Sequence, residues 1–155
     1  MQQYDHAVPL ARLLAMGFHS LVTKLHERLA EEGFAEVRPA FAFVLLATRE
    51  RALTGTDVAE LMGMTKQAAS KLVDAMEEAR YLVRKPHPDD ARVKTLHLAP
   101  KGRRLLEAAE RIYDELESEW AGVLGAGRYM QLRRDLAEVL RGLHGGKLPP
   151  VRPVW

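Results

Sequence analysis

The chain has 155 residues, of which 47% are hydrophobic and 28% charged, a composition typical of one globular domain with a substantial core. It contains no cysteine, which excludes disulfides, zinc–thiolate sites and thiol redox switches. No apolar run approaches the ~18 residues of a membrane span, and MQQYDHAVPL lacks the features of a signal peptide. We therefore expect a cytoplasmic protein.

Positive charge is concentrated in one segment, although the net charge of the chain is only +2. Residues 65–104 contain ten Lys or Arg and five Asp or Glu, a net charge of +5, and the remainder carries −3. Such a segment can face an anionic partner, or it can be a solvated basic surface without one. Charge alone leaves both interpretations open.

Apolar residues at helical spacing predict a first helix over residues 9–31 and a second helix from Pro39. The second is expected to end within TRERALTG, residues 48–55. Two short helices follow, over residues 57–62 and 66–79, and a tight glycine-containing turn joins them. This pair has the pattern of a helix-turn-helix.

Hydroxyl side chains mark the starts of both short helices. Thr54 and Asp57 have the spacing of a capping box, with Asp in place of the usual Glu or Gln. Thr65 stands where it can cap the next helix. These caps predict where the two helices begin.

A hairpin and two further helices complete the pattern. YLVRKP (81–86) and VKTLHL (93–98) are rich in β-branched and aromatic residues and flank the turn-prone HPDDAR, which predicts two paired strands. A long helix is predicted from Pro100 to about Leu124, and a last helix after the GAG at 125–127.

A helix-turn-helix followed by a hairpin is a winged helix-turn-helix, so the predicted fold class is mainly α (α+β). Long amphipathic helices flank it, and one short domain cannot bury all of their apolar stripes, which predicts a two-fold homodimer. The expected parts are an N-terminal dimerisation helix, a DNA-binding winged region, C-terminal dimerisation helices and an extended or disordered tail, at 1–33, 34–99, 100–144 and 145–155. Trp155 is either a loose end or part of a strap across the partner.

Three stretches in the same order resemble the MarR family of bacterial transcriptional regulators. They are RPAFAFVLL (38–46), TGTDVAELMGM (54–64) and MTKQAASKLVDAMEEARYLVRKPHPDDARVKTLHLAPKGRRLL (64–106). The resemblance implies a winged-helix homodimer that binds pseudo-palindromic promoter DNA and is often released by a small ligand. Three positions depart from the family pattern: Ala99 replaces a capping threonine, Ala91 a basic wing residue, and Arg80 a glycine.

The start of the second helix of a helix-turn-helix lies nearest the base edges. Gln67 can form two hydrogen bonds with adenine, and Lys66 can donate to the acceptor atoms of guanine. Ser70 and Lys71 are expected to contact phosphates. Thr65 completes this candidate set. The alternative is that Thr65 is only a cap and the lysines are only solvated.

The wing sequence KPHPDDARVK sets two aspartates among basic residues. We expect Arg92 to enter a minor groove, where negative potential attracts guanidinium, and Asp90 to hold Arg92 by a hydrogen bond. The Asp-x-Arg pattern of the family implies the same. The alternative is an ordinary exposed ion pair. Arg84, Lys85 and Lys94 are expected at phosphates.

Other kinds of site have weaker support. The chain lacks the motifs of hydrolases, phosphate loops, dinucleotide binding and cysteine nucleophiles, so we expect no enzyme and no cofactor. His6, His19 and His26 could share a face, but no helix carries a His-x-x-x-His or Glu-x-x-His pair, so we expect no metal site. The resemblance also implies an effector pocket. Its candidate lining residues are Phe18, Phe41, Val44 and Tyr113, and the alternative is that they are plain core.

The sequence therefore predicts a MarR-like, sequence-specific DNA-binding transcriptional regulator, a repressor that binds a pseudo-palindromic operator as a homodimer, with a small-molecule effector. Two alternatives stay open. One is a winged-helix protein-interaction module that binds no DNA, and the other is a metal-responsive regulator that uses histidines.

Overall fold

The computed structural model describes residues 8–149, so His6 and Trp155 lie outside the described residues. The described elements are six helices and one hairpin: α1 (Leu10–Glu31), α2 (Pro39–Glu50), α3 (Gly55–Met62), α4 (Lys66–Glu78), β1 (Leu82–Pro86), β2 (Lys94–Leu98), α5 (Pro100–Leu124) and α6 (Ala126–Leu143). This is the predicted mainly helical, winged helix-turn-helix architecture. No helix among residues 8–149 has both the length and the apolar character needed to cross a bilayer.

Side-chain caps fix the start of the helix-turn-helix. The hydroxyl of Thr54 accepts a hydrogen bond from the backbone N–H of Asp57 (3.2 Å), and the Asp57 carboxylate accepts one from the backbone N–H of Thr54 (2.6 Å). This confirms the predicted capping box. The Thr65 hydroxyl likewise accepts from the N–H of Ala68 (3.2 Å), which confirms the cap of α4.

The sheet ties the helix-turn-helix to the wing. β1 and β2 are antiparallel, with Arg84 opposite Leu96. Leu53 joins the sheet through an isolated bridge to Leu96, with N–H···O distances of 2.7 and 3.4 Å. The linker between α2 and α3 therefore pairs with β2 at this one residue, which attaches the two-stranded wing to the helix-turn-helix.

One core joins the winged lobe to the long helix α5. Val44 and Leu45 of α2, Val73 of α4 and Ile112 of α5 are each at most 2% exposed. Gly102, in the first turn of α5, lies so close to the sheet that an added Cβ would be 2.3 Å from the carbonyl oxygen of Tyr81. This contact fixes where α5 leaves the wing.

Ion pairs join α1 to α5. Lys24 bonds to Glu119 (2.8 Å), and the Arg28 guanidinium bonds to Glu119 and Glu115 (2.6 Å each). All of these side chains are at least 31% exposed, so each pair contributes little individually. Together they orient the N-terminal helix along α5.

The end of α2 lies within the stretch TRERALTG, where the sequence predicts it. The helix includes Thr48, Arg49 and Glu50, the first three residues of that stretch, and ends there. The Thr48 side chain is buried and its hydroxyl donates to the carbonyl of Val44 at 2.7 Å, so the polar group is satisfied within the helix.

Candidate nucleic-acid interface

The first turns of α4 present the predicted base-reading residues to solvent. Lys66, Gln67, Ser70 and Lys71 are all exposed, whereas Ala69 on the opposite side of the helix is fully buried. The helix is therefore anchored by its inner face and leaves the polar face free. A free polar face at the start of this helix is what major-groove docking requires.

The wing tip carries the predicted pair of Asp90 and Arg92. Nε and Nη2 of Arg92 donate to Oδ1 and Oδ2 of Asp90 at 3.1 and 3.2 Å, and the Arg92 backbone N–H donates to Oδ1 at 3.0 Å. The predicted hydrogen bond is thus present, in a bidentate form. These bonds from Arg92 hold the pKa of the Asp90 carboxyl below its ordinary value. The Arg92 side chain remains 91% exposed, so its conformation is restricted while the guanidinium stays accessible.

Backbone and histidine hydrogen bonds close the loop that carries this pair. The N–H of His87 donates to the carbonyl of Val93 (2.8 Å), and the N–H of Val93 donates to the carbonyl of Asp90 (3.0 Å). The Nδ1 atom of His87 accepts from the N–H of Asp89 (3.1 Å). Asp89 thus helps to form the turn, while its carboxylate points into solvent at 92% exposure.

The three basic residues predicted on the strands have two different environments. Lys85 and Lys94 are exposed. The guanidinium of Arg84 instead lies between two carboxylates of α4, bonded to Asp74 (2.6 Å) and to Glu77. No sequence pattern pairs these residues, because the contact depends on how the hairpin folds back against the helix.

A cleft brings the two parts of the candidate interface together. Its volume is about 350 Å³, and it lies between the start of α4 and the hairpin. Its lining includes Lys66 and Ser70 from the helix and Arg84 and Lys94 from the strands. Residues separated by 28 positions in sequence thus share one basic surface.

The predicted effector residues do not share one environment. Phe41 and Val44 are buried in the core, whereas Phe18 on α1 is 63% exposed. Tyr113 is partly buried, which raises the pKa of its hydroxyl above the ordinary value. A separate open cavity of about 380 Å³ lies where the end of α2, the hairpin and α5 meet, and its lining includes Arg49 and His97.

The histidines of the described chain are dispersed. His19 is exposed on α1, and His26 is half-buried, so that burial lowers its pKa below the ordinary value. Within residues 8–149, no group of three or more His, Cys, Asp or Glu side chains is arranged to hold a metal ion.

The described elements define a winged helix-turn-helix protein with long flanking helices. Residues 41–93 match the model of the MarR family, and they include both helices of the helix-turn-helix and the wing tip. The resemblance to the MarR family that the sequence predicts is therefore confirmed.

Solved structures of transcription regulators share the fold. The regulator Tm0710 from Thermotoga maritima has a TM-score of 0.73 at 21% identity, covering 90% of this chain and 99% of that one. MepR, a regulator of the Staphylococcus aureus multidrug efflux pump MepA, has a TM-score of 0.69 at 22% identity, covering 88% and 100%. A MepR point mutant bound to an oligodeoxyribonucleotide has a TM-score of 0.63 at 24% identity, covering 88% and 99%. The comparison with curated proteins gives no match.

Proposed function

We propose that the protein is a sequence-specific DNA-binding transcriptional regulator that acts as a homodimer, and that it is a repressor. The observation that carries this proposal is the wing tip, where a bidentate bond to Asp90 restricts Arg92 while leaving it 91% exposed. An inserted arginine loses rotamer entropy on binding, and a guanidinium that is already oriented loses less. The MepR mutant with the same fold was solved with an oligodeoxyribonucleotide.

The two parts of the interface have different proposed tasks. Gln67 reads adenine in the major groove and Lys66 contacts guanine acceptors, whereas Arg92 occupies a minor groove whose narrow shape attracts it. Ser70, Lys71, Lys85 and Lys94 contact phosphates, which fixes the register of the protein on the duplex.

Selection from a random-sequence DNA pool, repeated at two salt concentrations, tests the proposal. If the three lysines proposed at phosphates, Lys71, Lys85 and Lys94, each make one contact in each subunit, log K should fall with log salt with a slope of roughly −5, at about 0.9 per contact over two subunits. We expect enrichment of a pseudo-palindrome with half-sites about 34 Å apart. Weak binding without enrichment would favour the rival function, a winged-helix module for a protein partner.

Two alanine variants test the division of tasks on the selected operator. Arg92→Ala should weaken binding to most sequences, whereas Gln67→Ala should relax preference at particular base pairs by about 1–3 kcal/mol. Arg38→Ala, at an exposed position immediately before α2 and outside both interfaces, is a matched control for Arg92→Ala that should leave binding unchanged. An equal loss of preference in both test variants would contradict the proposed tasks.

The proposed dimer interface consists of α1 and α6, together with the end of α5, which corresponds to the predicted parts 1–33 and 100–144. Large apolar side chains lie exposed on these elements: Leu10, Leu13, Leu14, Met16 and Phe18 on α1, Val123 on α5, and Met130, Leu132, Leu136, Val139 and Leu143 on α6. Exposed apolar side chains in this number are expected to be covered by a partner, and a two-fold interface would place the same side chains on both subunits.

The oligomeric state can be tested with two matched charge substitutions. Leu136 of α6 is 39% exposed and Leu46 of α2, outside this set, is 38% exposed. We expect Leu136→Glu to convert the dimer to a monomer in light scattering and to abolish operator binding, because the carboxylate would be buried. Leu46→Glu should leave both the mass and operator binding unchanged.

Repression and effector release complete the proposal. A dimer bound across a promoter blocks the polymerase, so in vitro transcription from a promoter that contains the selected operator should fall when the protein is added.

An effector would act by favouring a dimer whose two recognition helices are spaced wrongly for the operator. Phe18, Phe41, Val44 and Tyr113 remain the proposed lining, and a compound screen for release of labelled operator tests this part.

A further inference from the structure

The polar stripe of α4 that faces the candidate interface changes its charge along its length. Lys66, Ser70, Asp74 and Glu77 follow one another at intervals of four, four and three residues, so they lie on one side of the helix. The stripe begins with a cation and ends with two carboxylates. Carboxylates on a surface that docks onto DNA repel the phosphates, so their charge must be compensated.

Arg84 of β1 provides this compensation. Nη2 of Arg84 donates to Oδ1 of Asp74 at 2.6 Å, and Nη1 donates to Oε2 of Glu77. The backbone N–H of Arg84 also donates to Oε1 of Glu77 at 3.2 Å. The Arg84 side chain is only 28% exposed, compared with 91% for Arg92 at the wing tip, so the two arginines of the wing differ in accessibility.

We infer that Arg84 is a positioning residue for DNA recognition, which masks the two carboxylates of the recognition helix and ties this helix to the wing. This inference rests on the proposed function. It assigns Arg84 a different task from the phosphate contact that its sequence position suggests, because both arms of its guanidinium are already engaged with carboxylates. The same contacts also hold the N-terminal end of α4, which faces the bases, and the wing tip in one relative arrangement.

A double-mutant cycle on the selected operator separates the two tasks. Arg84→Ala is measured once in the native background and once in a background that carries Asp74→Asn and Glu77→Gln. If Arg84 acts through the carboxylates, its removal should lower affinity on the order of tenfold in the native chain and less than about twofold in the neutralised background. If Arg84 contacts phosphate, freeing it from the carboxylates would make its loss cost as much or more, and this result would overturn the inference.

The dependence on salt supplies a second readout. Loss of a phosphate contact from each subunit would reduce the salt slope by about 1.8 in either background. Loss of masking should reduce the slope in the native background alone, since only there does Arg84→Ala expose carboxylates. A reduction of similar size in both backgrounds would contradict the inference.

Two controls keep the result specific. Arg38→Ala removes an exposed arginine that lies outside both the candidate interface and the proposed dimer interface, and it should not change affinity in either background. Circular dichroism checks that each variant is folded, and Arg84→Gln, which keeps a side-chain donor, replaces Arg84→Ala in the cycle if the alanine variant does not fold.

If the native chain selects no operator, the proposed function itself fails. If it selects one and the cycle shows no coupling, only the role of Arg84 fails.

Discussion

Arg80 occupies a backbone conformation that favours glycine, so glycine at this position should give a more stable protein than alanine. Its φ angle is +65°, and among the described residues it is the only non-glycine residue with a positive φ. The N–H of Arg80 donates to the carbonyl of Glu77 (2.9 Å) and the N–H of Tyr81 to that of Met76 (2.8 Å). This pair of bonds is a Schellman motif that ends α4, and its C′ position is usually glycine.

The expected gain follows from two opposing contributions. A left-handed conformation costs a residue with a side chain about 1–2 kcal/mol. Glycine avoids this cost but loses about 0.5–1 kcal/mol more conformational freedom on folding. Arg80→Gly should therefore be more stable than Arg80→Ala by about 0.5–1 kcal/mol, or roughly 1–4 °C in Tm for a chain of this size.

The comparison with alanine isolates the backbone contribution. Both substitutions remove an exposed guanidinium near the end of α4, together with any favourable interaction with the helix dipole. Of the two residues, only glycine adopts the positive φ angle without steric strain. Urea denaturation of both variants at one protein concentration gives the difference in unfolding free energy. If the alanine variant is as stable as the glycine variant, backbone strain at Arg80 is not the cause and the reasoning is refuted.

Further predictions concern α5 and the capping box. Gly102→Ala should destabilise the fold by about 1–3 kcal/mol, because its Cβ would lie 2.3 Å from the backbone oxygen of Tyr81. Gly122→Ala, in the same helix with nothing within 4 Å, should instead stabilise it by up to about 1 kcal/mol, and thermal melts of both variants check the contrast. The hydrogen bond from Arg51 lowers the pKa of Asp57 from 3.8 to about 2. Because the pKa of Asp57 is lower in the folded than in the unfolded state, the ionised carboxylate stabilises the fold at pH values above the unfolded-state pKa. The native chain should therefore lose more stability than Asp57→Asn as the pH falls from about 4 to 2. Equal losses in acid unfolding would contradict this assignment.

Much of the fold could be predicted because its signals are local. The hydroxyl caps at Thr54 and Thr65 and the helical spacing of apolar residues act within a few positions of the chain. The bond between Asp90 and Arg92 was also predictable, because the two residues lie two positions apart in one turn. The exposure of the polar face of α4 follows from the burial of its apolar face.

What could not be predicted depends on packing between distant elements. The sequence places Arg84 in a basic strand, which suggests a phosphate contact, but the contact with Asp74 exists only because the hairpin lies beside α4. The bridge between Leu53 and Leu96 is similar, since a single paired residue leaves no alternating pattern in the sequence. The exact end of α2 within residues 48–55 was not predictable, because Thr48 is buried and its hydroxyl donates to the carbonyl of Val44 within the helix.

The ion pairs between α1 and α5 have a consequence for how the chain folds during its synthesis. Lys24 and Glu119 are 95 residues apart, and Arg28 and Glu115 are 87 residues apart. At ~5–20 residues per second, the first helix emerges from the ribosome roughly 5–20 s before the helix against which it packs. The winged lobe between them is completed in that interval. The first helix must therefore remain without its packing partner, with its apolar side chains accessible to chaperones, until α5 has been synthesised.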